Sequence, residues 1–485
     1  MESPVNKISP RALGGIFFIS LVVLAGLGFY FWVGLVDHAQ LSIFIPILAV
    51  VAILAVGLVL RWPRMGLFLI LLTVPVEVGL VYIAGFGVYV VQPLIMLTAL
   101  AVLLRYDLIR GKVTFPIELL PVVALWIVYI FSGLIAINNR VTWGGIIFFI
   151  PLICMCWLVA RLARQLDFLK LLVALSIWVG VAIAFLGIIQ VVAYHLGINL
   201  AIDSYQRAFL VAYGRPSGLE GEPNWFGIYT GMVLAIAFPF WVRRQRLGKL
   251  PINTGVIILL VLAVLLSGTR SIWVGLLVEL IVVNLINVRL WGKKLRRFLP
   301  FVVLMIAVLA LLLLLNPKLV EPLARVRATF DASEFNSALR VHTWQMALEN
   351  IFQRPWTGYG LNSWQILSLK YPDVNSMPAV IGGKSVPNIF LDNWLAAGIL
   401  GALAIIYLIV FYSLRLIRLV RYRKDRLAST FGEAMLGGWI AIIVASIFTN
   451  AFIHIFFWQM VALIIATLGY YRRSLNPVKP SESVS

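Results

Sequence analysis

Fourteen stretches of this chain stay apolar for about the thickness of a lipid bilayer, and no other feature restricts its fold so strongly. Crossing ~30 Å of hydrocarbon takes about 20 residues of α-helix. Such runs lie at about 13–36, 41–60, 65–84, 88–104, 116–137, 143–160, 168–195, 224–242, 252–269, 271–290, 298–315, 389–414, 434–452 and 454–471. Lipid offers backbone N–H and C=O groups no partner, so each run is expected to be a helix. Composition agrees. Of 485 residues, 62% are hydrophobic and 12% charged, whereas a soluble domain carries about 25% charged residues. A globule in water could not cover its surface with so few polar side chains. The expected fold class is all-α integral membrane, a polytopic helical bundle of about 12–14 transmembrane helices with one large, partly helical loop on the outer side.

The net charge of +20 could suggest a nucleic-acid partner, but the positions of the charges say otherwise. With the N-terminus placed inside, 28 of the 39 lysines and arginines fall on the inner connections. Shifting the register by one span would invert that bias, so the positive-inside rule predicts both termini in the cytoplasm and the large loop outside. Most of the basic excess is therefore topology, and no nucleic acid is expected. The first apolar run lacks a small-residue cleavage site at its end and reads as a retained helix.

Metal and nucleotide chemistry find little support. Cys154 and Cys156 sit two apart on one predicted helix, which points them to different faces. The four histidines are scattered, and no Walker loop or dinucleotide fingerprint is present. No cofactor and no metal site is expected.

The chain divides into helices at 1–195, a second helical group at 196–315 with arginine motifs on the outer face, a large loop at 316–388, and C-terminal helices with a tail at 389–485. The loop alone has ordinary soluble composition, including Asp331, Glu334, Glu349, Asp373 and Lys384. Loops of that length are usually functional. Within it, Ser337 can cap a helix running to about Gln353, along which Arg340, Trp344 and Leu348 form one stripe. Asn362 can cap a second short helix. Ser385 can cap the next transmembrane helix, aiming free N–H groups at the outer face as an anion site.

Arg270 lies in Leu266-Ser267-Gly268-Thr269-Arg270-Ser271, a turn with almost no loop between two predicted spans. It is either an arginine snorkelling to the interface or, held on a rigid hairpin, a planar donor suited to bidentate phosphate binding. Arg340 has the same two readings: a solvated helix face or a second phosphate ligand. Arg207 and Arg215 precede Pro216-Ser-Gly-Leu-Glu220-Gly-Glu222-Pro-Asn224. Glu220 and Glu222 are either an acidic solvent loop or a base for a sugar hydroxyl. Glu77 and Glu279 read as acids at membrane depth, which are functional candidates by default. His454, in the turn between the last two spans, reads as a helix-end residue. Trp356, Trp364, Trp394 and Trp458 read mainly as belt aromatics.

Four segments in order resemble the bacterial O-antigen ligase and polymerase superfamily. Arg215-Pro-Ser-Gly-Leu-Glu-Gly-Glu-Pro-Asn-Trp225 is similar to its R-x-S-G…P-N segment, and Leu266-Ser-Gly-Thr-Arg270-Ser-Ile-Trp to its arginine hairpin. Arg340-Val-His342-Thr-Trp with Arg354-Pro-Trp-Thr-Gly-Tyr-Gly360 resembles the start of the large loop. Pro387-Asn388-Ile-Phe-Leu with Ala397-Gly398-Ile-Leu-Gly401 resembles its end. The resemblance implies a metal-independent glycosyltransferase of the bacterial inner membrane that acts on an undecaprenyl-diphosphate-linked glycan. A ligase would move that glycan to a lipid or glycan acceptor, and a polymerase would extend it. Arg215, Arg270, Arg340 and Asn388 are the expected substrate-binding residues. Family ligases commonly have His-Asn where this chain has Pro387-Asn388, so the base is expected among Glu220, Glu222, His342 and Asp392. The rival from another class is a solute permease, such as a bicarbonate transporter, with Glu77 and Glu279 lining a common path.

Overall fold

A computed structural model describes residues 53–77, 81–83, 86–104, 115–201, 204–247, 251–286, 335–371, 385–422 and 424–475. The predicted spans at 13–36 and 298–315, most of that at 41–60, and loop residues Asp331, Glu334, Asp373 and Lys384 lie outside them. Within the described residues the chain is a helical membrane bundle. Seven helices are long and apolar enough to cross a bilayer. Phe131, Leu277, Ile281 and Leu403 remain exposed along the helix flanks, an apolar belt suited to lipid and not to water.

The helices run back and forth between two ends. α1 (Pro63–Thr73) and α2 (Val91–Val102) are short; α3 (Leu120–Leu134), α4 (Asn139–Leu162) and α5 (Leu166–His195) follow. After the small α6 (Ser204–Tyr213) come α7 (Pro223–Arg243), α8 (Thr254–Leu266) and α9 (Arg270–Ile286). The loop supplies α10 (Phe335–Gln353) and the single turn α11 (Trp364–Leu367). α12 (Ile389–Arg421), α13 (Arg426–Phe448) and α14 (Ile455–Leu475) complete the bundle. α13 packs on α7, α9 and α12, while α14 packs on α4. Of the seven spans α14 is the most enclosed, with 89% of its apolar window buried, so it forms the central post.

Polar contacts gather at the two ends. At one, Glu118, just before α3, meets Arg472 of α14 at 3.1 Å and Arg415 of α12 at 3.6 Å. Arg243 of α7 pairs with Glu433 of α13 at this end, and Arg426 donates to the Arg243 carbonyl at 3.3 Å. The other end holds the connections 74–77, 196–222, 267–269 and 449–454, together with the docked loop.

Two departures from the predicted spans bear on the site. The runs at 65–84 and 88–104 are not two full helices. α1 ends before Pro75, which has no N–H to continue it, and β1 (Val81–Ile83) pairs antiparallel with β2 (Phe86–Val88). Glycines at 79, 85 and 87 among β-branched and aromatic residues disfavour helix there. A small hairpin therefore interrupts the otherwise helical fold.

The second departure is a break inside α12, where Ala397 and Gly398 leave helical geometry and Gly398 takes φ +62. The freed backbone groups pair with the loop. Tyr359 N–H donates to Leu395 O at 2.9 Å, Gly360 N–H to Ala396 O at 2.8 Å, and Ile399 N–H to Pro355 O at 2.9 Å. A Cβ on Gly398 would lie 2.1 Å from the Trp356 carbonyl oxygen. The glycine motifs at 354–360 and 397–401 are thus two sides of one joint. Non-helical backbone at membrane depth is tolerated only where protein re-satisfies it, as happens here.

Candidate functional site

The site grows out of the turn between α13 and α14. Thr449 and Asn450 end α13, and Asn450 Oδ1 accepts from Phe452 N–H, shaping the turn. Thr449 Oγ1 contacts Ser271 Oγ in the first turn of α9 at 3.4 Å, and Asn450 Nδ2 donates to Asp392 Oδ2 in the first turn of α12 at 2.9 Å. Asp392 Oδ1 accepts from Val386 N–H at 3.0 Å. The same turn carries His454, whose Nδ1 lies 2.7 Å and 2.8 Å from the two oxygens of Glu77. His454 Nε2 is buried with no hydrogen-bond partner among the described residues. Its ring lies on Trp225 at 3.7 Å between centroids.

Glu77 is not the mid-membrane acid that the span at 65–84 suggests. It lies in the extended segment past Pro75, where its N–H donates to Leu219 O at 3.1 Å. That bond brings Glu77 beside Glu220, whose two carboxyl oxygens are buried without a hydrogen-bond donor among the described residues. Burial, and then the neighbouring Glu77, push the Glu220 carboxyl well above the usual glutamate range. Two adjacent buried carboxyls cannot both ionise cheaply. Glu220 is therefore biased toward its protonated form, which is poor at accepting a proton.

Arg215 is buried and tied into protein. Its Nε donates to Ser267 O at 2.6 Å, and its terminal nitrogen reaches Asn224 Oδ1 at 2.9 Å and Thr269 Oγ1 at 3.4 Å. Asn224 in turn donates to Glu222 Oε1 at 3.3 Å, and Thr269 Oγ1 to Pro223 O at 3.0 Å. Arg215 thus fastens the start of α7 to the hairpin that presents Arg270. Expected as a substrate ligand, it is bonded here as the bolt of that hairpin. Arg270 is the first residue of α9.

The loop docks through its own apolar cluster, in which Leu339, Met346, Ala347 and Ile351 pack with Tyr359, Trp364, Leu367, Val386 and Leu395. Trp344 Nε1 donates to Pro387 O at 3.2 Å. Arg340, Trp344 and Leu348 are half-buried, with Trp344 at this contact, whereas His342 is exposed. His342 is not brought together with the other candidates. Ser337 lies inside α10, which starts at Phe335.

Two further expectations are corrected. The cap of α12 is Asn388, not Ser385, and its side chain accepts from Phe390 N–H at 2.9 Å and Leu391 N–H at 3.1 Å. Those donors are spoken for, so that helix start is no free anion site. Trp364 and Trp458 are fully buried rather than belt residues. Glu77 and Glu279, which a permease would have line a common path, have different neighbours. Glu279 faces Gly437 in the α9–α13 interface, while Glu77 meets His454.

Residues 255–406 match the family model described as O-antigen ligase. Over that stretch the chain is similar to the O-antigen ligase family. The match covers α8, the Arg270 hairpin, α10, the glycine joint and the first half of α12, so three of the four motif segments lie inside it. No curated protein matches the chain. The matched stretch leaves out Glu77, the 215–225 segment and the 449–454 turn. Those outer segments nevertheless pack onto it at Ser267, Ser271 and Asp392. Sequence reasoning missed the Glu77–His454 pair. Its available signals were Pro75, which ends the helix before Glu77, and the alternation of ends, which puts both residues at the same face.

Proposed function

We propose that this protein transfers a glycan from an undecaprenyl-diphosphate carrier to an acceptor hydroxyl at the outer leaflet, as an O-antigen or exopolysaccharide ligase or polymerase. The observation that carries it is the Arg270 hairpin. It lies in the matched O-antigen ligase stretch, is fastened by Arg215, and meets the polar turn 449–454 at one end of an apolar bundle. The orientation that follows from charge puts that end on the periplasmic side of the inner membrane and both termini in the cytoplasm.

A diphosphate is already a good leaving group, so the protein has mainly to position the reactants and stabilise developing charge. Arg270 and Arg340 carry permanent charge on planar, forked donors that suit phosphate oxygens. The prenyl chain would lie along the lipid-facing helices. Asp392 and Asn388 hold the start of α12 in place, and Glu222 steadies Asn224. These groups shape the site around the reacting sugar.

The test is transfer from purified lipid-linked glycan by protein in nanodiscs. Arg270→Ala and Arg340→Ala should each lower kcat/KM by roughly 100-fold or more. Lysine at either position should recover only part, because it lacks the bidentate geometry. Wild-type turnover in both alanine variants would remove the diphosphate clamp.

A further inference from the structure

We propose that His454, oriented by Glu77, is the general base that takes the proton from the acceptor hydroxyl. The proposal rests on the transfer reading above and names a group which that reading leaves open. Pro387 stands where the resembled ligases commonly have histidine, so the base has to come from elsewhere in the fold.

Three observations converge on His454. Its Nδ1 is held by both oxygens of Glu77, at 2.7 Å and 2.8 Å. That contact fixes the ring's orientation, and with Nδ1 as the donor the free lone pair is on Nε2. Nε2 is buried without a partner among the described residues. Leaving a buried polar atom unpaired is costly, a cost that persists more readily where a ligand supplies the missing bond. Finally, the ring sits in the turn that touches Ser271, next to Arg270, and Asp392 at the start of α12. Trp225, whose ring lies tilted over that of His454, adjoins Asn224 and through it the Arg215 bolt.

Glu220 completes the arrangement without competing for the role. Burial and the neighbouring Glu77 hold Glu220 toward its protonated form, so it is not the proton acceptor. In the step itself, the His454 Nε2 lone pair takes the hydroxyl proton as the acceptor oxygen bonds to the anomeric carbon. The bond from that carbon to the phosphate oxygen breaks, and its electron pair leaves on undecaprenyl diphosphate. The proton then passes from His454 to solvent or to the departing diphosphate. Glu77 is a positioning residue in this scheme.

The experiment uses full-length protein in nanodiscs, with lipid-linked glycan and acceptor lipids extracted from the producing cell after deletion of the gene. His454→Asn can keep a hydrogen bond to Glu77 through its side-chain N–H₂ but has no base at the Nε2 position. It should lower kcat at least ~100-fold, with binding of undecaprenyl diphosphate and thermal unfolding near wild type. Glu77→Gln should lower kcat by ~10-fold with the same binding, and Glu77→Asp should recover part of it. Undiminished kcat in His454→Asn would overturn the base, as would a loss of carrier binding that accounts for the whole defect. No transfer by the wild-type protein, with donor and acceptor both present, would instead overturn the transfer reading on which the base depends. Should His454→Asn fail to fold, the Glu77 pair decides: equal kcat in Glu77→Gln and wild type overturns the proposal.

Discussion

Glu118 at one end of the bundle and Glu77 with Glu220 at the other are all buried glutamates, yet they are neutralised differently. Glu118 lies between Arg472 at 3.1 Å and Arg415 at 3.6 Å, two side chains whose charge does not change with pH. Glu77 and Glu220 have no arginine or lysine partner among the described residues, and their neighbours are a histidine and each other. A fixed cation makes a carboxylate a clamp. A titratable partner makes it part of a proton-handling group. The contrast separates a structural end from a chemical one more sharply than burial does, because burial is alike in both.

Removing the clamp should give the largest effect on stability. Glu118→Ala leaves two arginines facing each other where α3, α12 and α14 meet. Loss of one partner of a buried pair costs several kcal/mol. Arg472 is 48% exposed, so solvent screens part of that, and the expected loss is about 2 kcal/mol by chemical unfolding in detergent. Transfer per folded molecule should stay at the wild-type level. A fall in turnover per folded molecule would show that this end also serves the reaction and would break the contrast.

The legibility of the chain in sequence divides along the same line. Long apolar runs and flanking arginines revealed most helices closely, as with 168–195 against Leu166–His195, because lipid thickness and charge bias act locally on the chain. The arginine hairpin at 270 was legible for the same reason, a single charge between two runs. The break at Gly398 was not, since its geometry is set by the loop at Pro355–Gly360, some forty residues earlier. Arg215 shows that a motif residue can be recognised while its bonds stay hidden, as nothing local says that its donors end on Ser267 and Asn224. His454 and Glu77 are separated by 377 positions. No periodicity links them, and each alone has a bland explanation.

A smaller effect tests the chemical end. The folded protein holds the Glu220 proton more tightly than the unfolded chain does, through burial and then Glu77. Its contribution to stability is therefore complete below the usual glutamate value of about 4.3, and it is lost as pH rises through the higher folded value. Glu220→Gln, neutral at every pH, should flatten the decline in unfolding free energy over that window, by at most about 1.4 kcal/mol per pH unit. Glu118→Gln should not produce the same flattening. A wild-type profile without any such decline would mean that Glu220 gives up its proton as readily as a solvent-exposed glutamate, and the two ends would then be electrostatically alike.

The smallest effect asks how Glu118 divides its attraction between two arginines. Arg472 is closer but 48% exposed, and Arg415 is farther but 29% exposed. Exposure weakens an ion pair more than half an ångström does, because water screens the charge and the long side chain loses entropy when held. Arg472→Gln is therefore expected to cost no more than about 1 kcal/mol. Arg415→Gln should cost more, although part of its effect would come from contact of the guanidinium with the Phe411 ring at 4.1 Å. A double-mutant cycle of each arginine with Glu118 removes that ring contribution. Equal coupling energies would show that distance offsets exposure. A larger coupling for Arg472 would mean that its exposed guanidinium is held as firmly as a buried one, and that the clamp belongs mainly to α14.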